Sequence, residues 1–68
     1  MSTEQKQLME FAIQDLVAEI VKRENLTPED AMDKLYHSHF FAQLTNPETA
    51  LYREGAEYLY QCLLSKQE

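Results

Sequence analysis

From Gln7 to Glu24 the apolar residues recur at helical spacing. At 100° per residue, with Leu16 at zero, Leu8, Ala12, Met9, Ile20, Ile13, Val17 and Val21 fall within an arc of roughly 220°. A surface helix needs an apolar stripe of only about 100°, so this arc predicts a central helix with neighbours on more than one side. Phe11 and Ala18 lie outside the arc, on a seam with Asp15 and Lys22. Over about 20 residues such a helix is roughly 30 Å long, the diameter of a small domain.

The remaining elements follow from local signals. Ser2 or Thr3 can cap the first helix, Glu4 suits its positive end, and Lys22 and Arg23 suit its negative end before Asn25. Leu26-Thr27-Pro28-Glu29-Asp30 is a helix start, with Thr27 as cap and Pro28 in the first helical position. That second helix runs to about His37 and buries Ala31, Met32, Leu35 and Tyr36. Ser38 caps a short third piece, His39 to Leu44, whose Phe40, Phe41 and Leu44 form a plug at one end of the core. Thr45-Asn46-Pro47-Glu48-Thr49 is turn chemistry, and residues 50–53 fit either an irregular helical turn or an extended connector. Gly55 precedes a last helix, Ala56 to about Lys66, with Leu59, Leu63, Cys62 and Ala56 on one face and Tyr58 at its margin. Tyr60 and Leu64 fall beyond the other margin and are expected to be partly exposed in a monomer.

The 68 residues form one domain, 1–68, in a size range where a single core is marginally sufficient. Cys62 is the only cysteine, which excludes an internal disulfide, and no zinc-type ligand cluster is present. Helix packing or oligomerisation must supplement the core. Twelve acidic against six scattered basic residues give a net charge of −6, which disfavours direct nucleic-acid binding and anionic membranes. The apolar runs are far shorter than the ~20 residues of a bilayer span, the N-terminus lacks a secretory pattern, and a lone thiol suits a reducing compartment. The expected location is cytoplasmic.

No candidate chemistry rises above the structural alternative. Cys62 with His37 or His39 would be a nucleophile and base, but Cys62 sits late in a helix among leucines, where packing is the favoured role. His37 and His39 are two apart, so on a helix they face apart and cannot share a metal. The acids are accounted for by helix starts and solvated helix faces. Tyr52, Tyr58 and Tyr60 suit either a wet interface or the margin of a small core.

Asn46-Pro47-Glu48-Thr49-Ala50-Leu51-Tyr52, followed by Glu57-Tyr58-Leu59-Tyr60 and preceded by Leu26-Thr27-Pro28-Glu29-Asp30-Ala31, resembles a family of small uncharacterised bacterial helical proteins, a domain of unknown function. The resemblance spans most of the chain, which has Gly55-Ala56 where the family more often has Ser-Pro. It implies a bacterial cytoplasmic protein with no assigned activity, in a group sometimes found beside toxin-like or mobile-element genes. It supplies no site residues.

These readings combine into an all-α fold, a small bundle of three main helices plus one short helix. The expected function is that of a non-enzymatic protein-interaction module, an antitoxin-like or accessory subunit in a bacterium or phage. It has no cofactor, and its partner is a second copy, as a homodimer, or another protein. The interaction surface is expected at Phe11, Ala18, Tyr60 and Leu64. The alternative is a small-molecule-binding protein or small enzyme, with a pocket near Tyr36, His37, His39 and Tyr52 or a site formed between subunits, since one protomer has little room for a pocket of ~300 Å³.

Overall fold

In the computed structural model, which describes residues 3–66, four α-helices succeed one another: α1 (Thr3–Glu24), α2 (Pro28–Tyr36), α3 (His39–Leu44) and α4 (Ala56–Lys66). Two 3-10 turns, Pro47–Thr49 and Leu51–Arg53, link α3 to α4. The fold is the expected all-α bundle, with no strand among the described residues.

At ~1.5 Å per residue, the 22 residues of α1 match the 33 Å longest extent of the molecule. It packs against α2, α4 and the second 3-10 turn, so it is the pillar that the wide apolar arc predicts. Its buried residues are Met9, Ala12, Leu16, Val17 and Ile20, a sector of roughly 140°. The margins of the arc stay open. Val21 is only half-buried, and Leu8, at the other edge, is 46% exposed, because the neighbouring elements close over the middle of the arc alone.

Local chemistry sets the helix ends. Thr3 is already helical and so is not the cap of α1; Ser2 and the side chain of Lys66 lie outside the described ones. Asn25 takes a left-handed conformation, φ 56°, which asparagine tolerates, and ends α1. Thr27 Oγ1 accepts the Asp30 N–H at 3.1 Å, and Pro28 begins α2. Ser38 Oγ accepts from the Phe41 N–H and donates to the Leu35 carbonyl, so one hydroxyl joins the end of α2 to the start of α3. The segment that fitted either a turn or a connector is the second 3-10 turn, which buries Tyr52.

Leu16, Ile20, Leu35, Phe40, Leu44, Leu59 and Leu63 are the largest fully buried side chains. Phe40 and Leu44 plug the core as expected, whereas Phe41 is partly buried and meets the Tyr36 ring edge-on at 4.8 Å. Two expectations for α2 are corrected: Met32 and Tyr36 are exposed, because the inward side of this nine-residue helix is filled by Ala31 and Leu35.

Candidate interaction surface

The outward side of α1 carries Glu4, Leu8, Phe11, Asp15, Ala18 and Lys22, in alternating steps of four and three residues, and all six are exposed. That spacing places them on one stripe of the helix. At 58% exposure, Phe11 is the most open large hydrophobic side chain among the described residues.

Beside this stripe, between α1 and α2, lies an open apolar groove of about 330 Å³, lined by Gln14, Val17, Ala18, Val21, Pro28 and Met32. A smaller hollow of about 190 Å³ continues from Gln14 and Met32 to Glu10, Ile13 and Tyr36. Ala18 belongs to both the groove and the stripe. Without a side chain beyond Cβ, it leaves a shallow place in the helix surface that a larger residue can occupy. The two hollows contain no histidine or cysteine, and so no nucleophile–base pair.

Of the four residues expected to form the surface, Phe11, Ala18 and Leu64 are exposed and Tyr60 is not. Tyr60 is only 8% exposed. Its side chain reaches the C-terminal end of α1, where its hydroxyl donates to Glu24 Oε2 at 2.8 Å and the Arg23 guanidinium lies 5.1 Å from its ring centre. An apolar ring with a polar tip is buried at no hydrogen-bonding cost when its hydroxyl has such an acceptor.

Glu24 is the centre of a polar cluster. It also accepts from Lys34 of α2, while Arg23 pairs with Glu19 and lies 3.9 Å from Glu57 of α4. The Lys34 hydrogen bond is the main cause of a Glu24 pKa below the ordinary carboxylate value, and the Tyr60 hydrogen bond adds to it. The same bond to Glu24 raises the Tyr60 pKa, since ionising the phenol would remove the donated proton. These contacts close the end of α1 against α2 and α4, a structural role.

The histidines and the cysteine stand elsewhere. His37 is exposed, with Nδ1 2.8 Å from the Asp33 carbonyl, and His39 is exposed as well. Cys62 is half-buried against the core, beside Tyr58 one turn earlier; a hydrogen bond to Cys62 raises the Tyr58 pKa. Tyr52 is buried, with its hydroxyl 3.5 Å from Gln5 Nε2. Of the residues considered for a small-molecule pocket, only Tyr36 lines either hollow. Among the described residues no three His, Cys, Asp or Glu side chains are grouped to hold a metal ion, and no helix is long and apolar enough to cross a membrane.

Leu8, Pro28 and Met32 are the surface residues that sequence reasoning missed. Leu8 was detectable, as the edge of the apolar arc three residues before Phe11; the groove depends on how far α2 sits from α1, which no local pattern encodes. Comparison with protein-family models, curated proteins and solved structures finds no match.

Proposed function

We propose that this chain is a non-enzymatic protein-interaction module, an accessory or antitoxin-like subunit of a bacterial or phage assembly in the cytoplasm. It works by presenting the outward side of α1 and the adjoining groove to a second copy or to another protein. The observation that carries this reading is the exposure of Phe11 beside Leu8, Ala18 and the apolar groove. Single exposed hydrophobes are ordinary, whereas a contiguous patch of several hundred Å² marks an interface. Covering ~400 Å² of it would contribute roughly 10 kcal/mol before the entropic cost of association. The net charge of −6 opposes self-association weakly, because exposed charges are screened beyond ~8 Å at physiological salt. The bacterial setting rests on the resemblance at Asn46–Tyr52 and Leu26–Ala31.

A lysine-reactive crosslinker applied in host extract tests the reading, because Lys22 lies on the outward stripe. The expected result is an adduct of the chain with itself or with one other protein, joined through Lys22 and lost in Phe11→Glu. Adducts unaffected by that substitution, or none at all, would contradict it.

A further inference from the structure

The exposed stripe of α1 is self-complementary when reversed. Its positions Glu4, Leu8, Phe11, Asp15, Ala18 and Lys22 are symmetric about Ile13, so a second α1 lying antiparallel and centred there puts Glu4 opposite Lys22, Leu8 opposite Ala18, and Phe11 opposite Asp15. Steps of four and three residues are the repeat of a two-stranded coiled coil, and these pairings are the layers of its antiparallel form. Each layer has a physical sense. Glu4 and Lys22 attract at both ends. Leu8, a large side chain, meets Ala18, a small one. The two Phe11 rings fall on either side of the twofold axis, close enough to meet one another.

We infer that the occupant of this surface is a second copy of the same chain, bound through an antiparallel α1–α1 seam in the register Glu4–Lys22, Leu8–Ala18 and Phe11–Asp15. The inference rests on the reading of the chain as an interaction module and names the partner. Charge decides the direction. A parallel pair would set Glu4 against Glu4 and Lys22 against Lys22, both repulsive, whereas the antiparallel pair makes two attractive contacts. Charge also favours a copy over a foreign helix. The stripe carries an acid, Glu4, at one end and its base, Lys22, at the other, so a reversed copy offers the complementary charge at each end. A twofold interface requires every patch to meet its complement on the same surface, and this stripe has that property. Asp15 is the one unfavourable element. A polar residue at a central seam position fixes register at a cost in affinity, and here it stands opposite Phe11 in the central layer.

The experiment is light scattering over a dilution series of the intact chain and four variants. Glu4→Lys and Lys22→Glu should each weaken the dimer on the order of tenfold, because each turns two attractive pairs repulsive. The double variant Glu4→Lys/Lys22→Glu should return to the wild-type midpoint, and Asp15→Asn should tighten the dimer several-fold. All three positions, Glu4, Asp15 and Lys22, are exposed, so circular dichroism should show unchanged helix content. A dimer indifferent to the single charge reversals, as a parallel pair would be, overturns the register. A wild-type chain that stays monomeric overturns the self-association itself; a foreign partner crosslinked through Lys22 would then still uphold the interaction-module reading.

Discussion

The Tyr60 hydroxyl donates to the Glu24 carboxylate at 2.8 Å across 36 positions of sequence, and this one bond removes Tyr60 from the exposed surface. Without it the phenol would have to reach water, and the ring would follow. Tyr60→Phe should therefore lower stability by about 1–2 kcal/mol, as expected for a hydrogen bond to a charged acceptor. The association state should not change, since the ring is part of the fold and not of the contact surface. Urea titration and a mass measurement check the two halves separately.

The same cluster has a pH signature. The folded-state pKa of Glu24 is held below its unfolded value, chiefly by the Lys34 hydrogen bond. A depressed carboxylate contributes stability that is fully present above the unfolded pKa and is lost as pH falls through the folded pKa. The difference in urea midpoint between wild type and Glu24→Gln should hence be greatest near neutrality. It should shrink on the acid side of the ordinary carboxylate range, and a difference independent of pH would contradict this account of Glu24.

At the start of α2, Thr27→Ala removes the 3.1 Å acceptor of the Asp30 N–H and should cost about 1 kcal/mol. A loss below ~0.3 kcal/mol in urea would mean that the cap carries no weight.

Between α3 and α4, Ala50 and Gly55 each stand where another residue would suit better. Ala50 joins the two 3-10 turns at φ 55°, a left-handed conformation that costs a non-glycine residue about 1–2 kcal/mol. Gly55 has no positive φ, and a Cβ there would meet nothing within 4 Å. Ala50→Gly should stabilise by about 0.5–1 kcal/mol, the relief of strain exceeding the added freedom of the unfolded chain. Gly55→Ser should add a similar amount by offering a side-chain acceptor at the start of α4. Thermal unfolding of the two variants measures both.

The parts of the fold legible in the sequence are those governed by neighbours a turn apart. Thr27, Pro28, Ser38 and Asn46 announce their elements because a cap or a fixed φ acts within three residues, and the structure begins α2, α3 and the first 3-10 turn at those signals. Leu16, Ile20, Leu59 and Leu63 are legible as core because each lies at the middle of its apolar face. The margins are not. Leu8, Met32 and Tyr36 sit where one neighbouring helix more or less decides between water and core, and Tyr60 is drawn inward by an acceptor 36 residues away. Ala50 gave no warning, since nothing in an alanine advertises a left-handed backbone. At the candidate surface, Phe11 and Ala18 were legible because they fall outside an arc already wide enough for the core, and Leu64 because it lies off the inward face of α4.

Sedimentation equilibrium of wild type and Phe11→Glu at micromolar concentration tests most directly the claim that the outward side of α1 is a contact surface, occupied by a second copy. Wild type should show twice the 8.0 kDa chain mass, and the variant a folded 8.0 kDa monomer. A wild-type monomer, or a dimer that survives Phe11→Glu, would contradict the claim.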